Sequence, residues 1–213
     1  NGFDTDLFRP DSQARSAVRA GLKISEDAFV IGIIGRLDPM KDHATFFQAA
    51  GSFLSDHPGT HFILAGRNVT RENPDIRDLM QGIPDGSAFH LLGERCDVPQ
   101  ILAALDLATS SSVSEGFPNA VGEAMACGLP CAATDAGDTG ILMGDAGILV
   151  KRQSPEELRL AWDAIAGMAT EARLAMGMKA RERIRNHFTQ EKTTESYRQE
   201  YLKTVDPLRS SAP

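Results

Sequence analysis

The chain has 213 residues, of which 42% are hydrophobic and 6% aromatic, and it carries a formal net charge of −7. This size suits one large domain or two small ones of ordinary globular composition. The acidic balance argues against nucleic acid as the main partner, because a phosphate backbone requires a basic surface, but it is compatible with a small anionic ligand held by local cations.

The sequence contains no apolar run near the ~20 residues of a transmembrane helix, so it predicts no membrane span. Its three cysteines fit no metal-ligand spacing, and Cys127 and Cys131 stand among Ala, Gly and Pro, as small buried side chains do. This cysteine usage favours a reducing, cytoplasmic compartment. The first residue is Asn1 rather than Met, which indicates part of a longer protein.

Short apolar runs that end in glycine or polar residues alternate along the chain with segments of helical periodicity. The runs are continuous, as in parallel strands that are covered on both faces. They predict strands at residues 29–35, 61–66, 89–93, 107–111, 131–135 and 147–150.

The segments between these runs carry helix signals, namely capping residues, Pro in a first turn and Gly at an end. They predict helices at 42–54, 119–127, 171–187 and 190–203, and two more that begin at Asp97 and Ser154. Strand–helix alternation without a repeat or linker predicts one α/β domain over residues 1–205, with a Rossmann-like, doubly wound parallel sheet. The tail 206–213 is predicted to be disordered.

Ligands of a doubly wound sheet bind at the carboxyl ends of the strands, near the point where the strand order changes direction. Arg36 and Lys41 flank the loop after the first predicted strand, where two cations would face a phosphate. The alternative is that both are solvated loop charges. The sequence has no P-loop, no G-x-G-x-x-G after its first strand and no G-x-S-x-G, which argues against a P-loop NTPase or a dinucleotide oxidoreductase.

The stretch SEGFPNAVGEAMACGLP, residues 114–130, leads into a predicted helix whose first N–H groups lack intrahelical partners and attract anions. Gly116 permits a close backbone approach to a diphosphate. Glu115 precedes the helix start and Glu123 lies about one turn inside it. An ionised carboxylate only accepts hydrogen bonds, so the pair suits hydroxyl-rich groups on both sides of a diphosphate. Alternatively, Glu115 favours the helix dipole and Glu123 is a surface residue.

This stretch resembles the E-x7-E signature of glycosyltransferase family 4, the retaining group 1 transferases of the two-lobed GT-B fold. Further segments resemble parts of the same family in the family's order: NGFDTDLFRP, IIGRLDPMKDH, FILAG, LLGERCDVPQILAALDLATSSSVSEGFPN, TDAGDTGILMGDAGILV and ARERIRNHFTQEKTTESYRQEY. The resemblance covers nearly the whole chain. It implies the donor-binding C-terminal lobe of a GT-B fold, with the N-terminal acceptor lobe absent from this chain.

The resemblance also implies a role for each matching residue. Glu115 would be the catalytic residue that accepts hydrogen bonds from the transferred sugar, Glu123 would bind the ribose, and the backbone around Arg95 would contact the base. The residues implied to bind the donor diphosphate are Arg36, Lys41, Gly116, Phe117, Asn119 and Ala120.

The implied reaction transfers a hexosyl group from a UDP- or GDP-sugar, with retention of configuration, to a glycan, lipid or other hydroxyl acceptor, as in polysaccharide biosynthesis. It uses no cofactor and no metal. The N-terminal lobe would supply the acceptor site, so we expect the isolated chain to bind donor weakly and to be inactive or nearly so. The full-length protein would be cytoplasmic, with peripheral attachment to the inner face of the membrane as an option.

Two alternatives stay open at this point. One is a nucleotide-sugar-modifying enzyme of the same fold, of the 2-epimerase type, and the other is a non-catalytic nucleotide-binding module. In the last predicted helix, Tyr197, Tyr201 and Leu202 form an apolar stripe at helical spacing. The stripe either packs on the sheet of this lobe or serves self-association.

Overall fold

The computed structural model describes residues 1–83 and 85–209, with residues 204–209 described by backbone alone. Within this part of the chain, six strands form one parallel sheet. They are β1 Val30–Ile34, β2 His61–Ala65, β3 Phe89–Leu91, β4 Leu107–Ser110, β5 Cys131–Thr134 and β6 Ile148–Val150. All predicted strands are confirmed, each slightly shorter than its apolar run.

The strand order is β3-β2-β1-β4-β5-β6. The chain moves outward from β1 to β3 and then returns to the other side of β1, where Ile31 pairs with Leu107 of β4. The strand order therefore changes direction between β1 and β4. The predicted fold class is confirmed, and a doubly wound sheet opens its ligand crevice at such a point.

The described residues contain helices on both faces of the sheet. They are α1 Ser12–Leu22, α2 His43–Asp56, α3 Pro74–Leu79, α4 Val98–Ala103, α5 Asn119–Ala126, α6 Thr139–Met143, α7 Pro155–Ala166, α8 Thr170–His187 and α9 Gln190–Arg209. Every predicted helix is confirmed. The sequence did not predict α1, α3 and α6, because α3 and α6 span less than two turns and α1 buries an arginine, Arg19, in place of an apolar stripe.

The segment 206–213 differs from its prediction where it is described. Helix α9 continues to Arg209, so the backbone of residues 206–209 is helical rather than disordered. Residues 210–213 lie outside the described residues. None of the helices in the described part of the chain combines the length and apolar character needed to cross a membrane.

The core lies on both faces of the sheet, as continuous apolar strands require. In β1, Val30 packs into the cluster beneath α4 and α5, and its neighbour Ile31 packs into the opposite cluster beneath α2 and α7. The second cluster centres on the fully buried Trp162, whose ring meets Phe46 edge-on at 5.5 Å between centroids. Cys127 and Cys131 are buried as predicted, and burial raises the pKa of the Cys127 thiol to about 12.

The N-terminal segment meets the α8–α9 connection beside α5. Phe3 donates its N–H to the carbonyl of Phe188 at 2.8 Å and forms an isolated parallel bridge with Thr189. From α8, Arg181 donates to the main-chain oxygens of Thr5, Phe8 and Ala126. These contacts hold the N-terminal segment against the helix that carries Glu123.

Candidate functional site

Three loops converge at the carboxyl edge of the sheet where the strand order changes direction. Residues 35–42 follow β1, residues 111–118 follow β4, and residues 135–138 follow β5. The first and second loops contain the residues that the sequence predicts to hold an anion. Neighbouring parallel strands end at the same edge, so the topology alone brings these loops together.

The loop after β1 has a fixed backbone. Asp38 accepts the N–H of Met40 at 2.9 Å and starts a 3-10 turn, Pro39–Lys41, which ends at Asp42. Asp42 has a positive φ of 47° and caps α2 by accepting the N–H of Thr45. Lys41 is therefore held at the last position of a rigid turn, rather than in an open loop.

Two hydrogen bonds join this loop to the loop after β4. Val113 donates its N–H to the carbonyl of Met40 at 2.9 Å, and the Ser111 hydroxyl donates to the carbonyl of Lys41 at 2.8 Å. Ser111 is fully buried, so its hydroxyl requires a partner and finds it in the Lys41 carbonyl. The two loops thus form one unit.

Within this unit, Lys41 and Glu115 form a direct ion pair, with 2.5 Å between Nζ and Oε1. Both side chains are mostly buried, at 23% and 12% exposure. The same Oε1 accepts the hydroxyl of Ser112 at 2.7 Å. A narrow cleft of about 10 Å³ lies between these side chains and Ala120 in the first turn of α5.

Helix α5 begins at this cleft with an uncapped N-terminus. Pro118 occupies the N-cap position, and no side chain in the described residues caps the helix. Gly122 donates the first intrahelical bond, to the carbonyl of Pro118, so the N–H groups of Asn119, Ala120 and Val121 precede the hydrogen-bond ladder. Free N–H groups and the helix dipole make this end attractive to an anion.

Glu123 lies one turn further along α5, in a different cleft of about 360 Å³. Burial raises the pKa of its carboxyl, which argues against the alternative that Glu123 is an ordinary surface residue. The cleft is completed by Asn119 and by the N-terminal segment, where Asn1 donates its side-chain amide to the Asn119 side-chain oxygen at 2.9 Å. The sequence pattern did not indicate Asn1, since no local periodicity reports a contact between residues so far apart.

The remaining predicted site residues lie around these two clefts. Arg36 is 58% exposed and pairs with Asp38 of its own loop. Arg95 in the loop after β3 forms a two-pronged pair with Asp97, at 2.8 and 2.7 Å. Neither guanidinium lines the clefts at Glu115 or Glu123.

Phe117 and Gly116, in the loop after β4, contact neighbouring parts of the chain. The Phe117 ring stacks on Phe3 at 5.9 Å and contacts Phe188, so it anchors the loop from the inner side. The carbonyl of Gly116 accepts the N–H of Asp138 in the loop after β5.

Gly137 in that third loop has a φ of +55°, and a Cβ at this position would lie 1.9 Å from the carbonyl oxygen of Glu115. Only glycine permits this approach. The loop after β5 therefore packs directly against the backbone of Glu115, a contact that the sequence did not indicate.

In the described part of the chain, no group of three or more His, Cys, Asp and Glu side chains could hold a metal ion. The described residues offer other elements, namely one mostly buried cation, uncapped helix N–H groups and two carboxylates in separate clefts. Together with the sheet topology they define the chain as a Rossmann-like α/β domain whose switch point carries groups that attract an anion.

A family model described as "Glycosyl transferases group 1" matches residues 28–166. The chain belongs to this family, and the resemblance found in the sequence is confirmed. Among curated proteins, the D-inositol 3-phosphate glycosyltransferase of Saccharomonospora viridis is 29% identical over 99% of this chain and 51% of its own length. The chain spans about half the length of the curated relatives it matches.

Solved structures of the same fold agree with this assignment. The structure of Anabaena HepE in complex with UDP-glucose has a TM-score of 0.83 and 25% identity, and the match covers 97% of this chain and 56% of that one. The C-terminal domain of the group 1 protein LpcC from Francisella tularensis has a TM-score of 0.77 and 24% identity, covering 89% of this chain and 100% of the other. The GT-B class predicted from the sequence is thus supported.

Proposed function

We propose that this chain is the donor-binding C-terminal lobe of a retaining glycosyltransferase that moves a hexosyl group from a nucleoside diphosphate sugar to a hydroxyl acceptor on a glycan or lipid. One observation carries the proposal: the uncapped start of α5 lies between Lys41 and Glu115 on one side and Glu123 on the other. The HepE structure, which matches 97% of this chain, was determined in complex with UDP-glucose, and this supports the proposal.

The diphosphate in this proposal binds at the helix start. The N–H groups of the first turn, together with the backbone of residues 116–117, donate to its oxygens, and Lys41 neutralises its charge. Arg36 adds a second cation from the exposed side of the loop. These donors also stabilise the diphosphate as it leaves, because the negative charge on it grows when the bond to the sugar breaks.

The two carboxylates contact the two ends of the donor. Glu115 accepts hydrogen bonds from hydroxyls of the transferred sugar, and Glu123 accepts them from the ribose. The backbone near Arg95 contacts the base. In this scheme the phosphate competes for Lys41, and Glu115 exchanges the ammonium for sugar hydroxyls.

The acceptor would bind to an N-terminal lobe outside this chain, in keeping with its coverage of about half of its curated relatives. We expect the isolated chain to bind donor and to transfer sugar slowly or not at all. The full-length protein is proposed to act in the cytoplasm, with peripheral attachment to the membrane when its acceptor is a lipid.

Calorimetric titration of the chain with UDP, UDP-glucose, GDP and GDP-mannose tests this proposal. We expect one sugar conjugate to bind more tightly than its parent nucleotide, and Glu115→Ala to remove that difference. Glu123→Ala should weaken the nucleotide and its conjugate by the same factor. The exposed Glu171 in the first turn of α8 offers the control Glu171→Ala, which should change neither affinity.

Two results would contradict the proposal. Affinity that is indifferent to the sugar and to both site glutamates would indicate a nucleotide-binding module without a transfer role. Robust transfer to an acceptor by this chain alone would show that a second lobe is not required.

A further inference from the structure

We infer that Ser112 is a positioning residue that keeps Glu115 oriented toward the sugar when the diphosphate engages Lys41. The inference rests on the proposed function and adds a residue to its sugar-binding half. Ser112 carries no charge, and it is the structure that places its hydroxyl against the Glu115 carboxylate.

Ser112 is itself held firmly. Its side chain is 1% exposed, and its carbonyl accepts the hydroxyl of Thr134, at the end of β5, at 2.5 Å. The Ser110 hydroxyl lies 3.2 Å from the Ser112 hydroxyl. A hydroxyl has one hydrogen to donate, and at 2.7 Å the Glu115 carboxylate is the charged and closer acceptor. The Ser112 hydroxyl therefore donates to Glu115 and accepts from Ser110.

The two hydrogen-bond partners of Glu115 Oε1 differ in how freely they can move. Lys41 has a long, flexible side chain with a mobile charge, and a phosphate with more than one negative charge competes for it. Ser112 has a short side chain in the loop after β4, and its main chain is tied to Thr134, so its hydroxyl cannot follow the ligand. When Lys41 turns to the diphosphate, Ser112 stays on Oε1 and leaves Oε2 directed at the sugar.

Loss of the Ser112 hydroxyl has a defined consequence. Without it, Glu115 either follows Lys41 or rotates freely, so the sugar meets a carboxylate that must first be ordered. The diphosphate takes Lys41 from Glu115 in both ligands, so this cost is common to the nucleotide and the sugar conjugate. The expected signature is therefore a loss of affinity mainly for the sugar conjugate.

The neighbouring Ser111 provides a matched control. It is equally buried, but its hydroxyl donates to the main-chain carbonyl of Lys41 and not to Glu115. Ser111→Ala removes the same atom from the same loop. It should change the affinities for nucleotide and conjugate by one common factor, because it acts on the diphosphate side of the site.

The experiment measures dissociation constants of UDP with UDP-glucose, and of GDP with GDP-mannose, for the unmodified chain and for Ser112→Ala, Ser111→Ala and Glu115→Ala. For the pair that binds best, we expect Ser112→Ala to weaken the conjugate about ten-fold and the nucleotide less than about two-fold. Ser112→Cys keeps the volume with a poor donor and should behave in the same way. Thermal unfolding of each variant verifies that it is folded.

The possible outcomes distinguish a failure of the proposed function from a failure of the role inferred for Ser112. If the unmodified chain binds no conjugate better than its nucleotide, the proposed function fails. If Glu115→Ala removes the preference while Ser112→Ala and Ser112→Cys keep it, the function stands and the role of Ser112 is overturned. The inference would also be overturned if Ser111→Ala and Ser112→Ala lowered the affinities equally and left the ratio between conjugate and nucleotide unchanged. Ser112 would then only stabilise the loop.

Discussion

Glu115 and Glu123 share a helix start, but the structure surrounds them differently. Glu115 has a cation and a hydroxyl on one of its oxygens, so its negative charge is already balanced. Glu123 lies in a more open cleft, where burial raises the pKa of its carboxyl. The two carboxylates therefore suit different tasks, one coupled to the position of Lys41 and the other independent of it.

His43, the first residue of α2, is 3% exposed, and neither ring nitrogen makes a hydrogen bond within the described residues. Burial, opposed by Asp42 and Asp38 and aided by Lys41, lowers the pKa of its imidazole from 6.5 to about 4. The neutral form is thus favoured in the folded protein, and the backbone of the Lys41 loop lies directly before it.

Stability should consequently fall on acidification between pH 6.5 and 4, because the unfolded chain binds a proton there that folded His43 does not. A shift of this size corresponds to roughly 3 kcal/mol by the linkage relation. In urea unfolding across this pH range, the free energy of unfolding of His43→Leu should fall less steeply with pH than that of the unmodified protein. Burial also lowers the pKa of His90 to about 4 and lowers the pKa of His61, so both histidines add to this loss. The exposed His187 gives the control His187→Leu, and an unchanged pH profile for His43→Leu would refute the prediction.

Helix α5 combines a ligand-facing N-terminus with close packing along its inner side. Gly122 lies against the ring of Phe3, and a Cβ there would come within 2.0 Å of the ring. The same helix contacts α8, which also carries Arg181. The position of the anion site therefore depends on how closely α5 approaches the N-terminal segment.

Gly122→Ala should destabilise the fold by about 1–3 kcal/mol, because the extra methyl overpacks a filled interface. Gly21, inside α1, has no atom within 4 Å of its would-be Cβ and is the matched control. Gly21→Ala should stabilise the protein by up to about 1 kcal/mol through helix propensity. Chemical denaturation of both variants tests this pair, and a stabilised Gly122→Ala would contradict the packing.

Contacts far apart in sequence join the N-terminal segment to α8 and to the start of α9. The N-terminal segment runs along α5 and pairs with the start of α9, and the Arg181 guanidinium joins Thr5, Phe8 and Ala126 through their carbonyls. The Glu123 cleft uses this segment as one wall. The order of the N-terminal segment and the shape of the Glu123 cleft are therefore linked.

Arg181→Ala should lower the free energy of unfolding by about 3 kcal/mol, since three carbonyls lose a charged donor. It should also weaken nucleotide binding, because the wall beside Glu123 loosens. Arg185 is exposed on the same helix, and Arg185→Ala should stay within about 0.5 kcal/mol of the unmodified protein. Thermal unfolding and nucleotide titration of both variants test this prediction. Equal stabilities of Arg181→Ala and Arg185→Ala would contradict it.

Local chemistry explains how far the sequence could predict the structure. Apolar runs such as 61–66 indicate buried strands because both faces of a parallel strand exclude water. Pro118 and Gly128 mark the bounds of α5, because Pro fixes φ near a helix start and Gly adopts the positive φ of 75° that ends the helix. Helix α1 was missed because its buried Arg19 is satisfied by Asp106 and by carbonyls distant in sequence, which no local pattern records.

The six strands, the helices other than α1, α3 and α6, and the family follow from the sequence, because hydrophobic periodicity, capping and motif spacing are properties of neighbouring residues. The Lys41–Glu115 ion pair, the Ser112 hydrogen bond and the wall that Asn1 contributes to the Glu123 cleft do not follow from it. Each joins loops or segments that lie far apart along the chain. Such contacts exist only after the sheet has brought the strand ends together, so they depend on tertiary packing rather than on local preference.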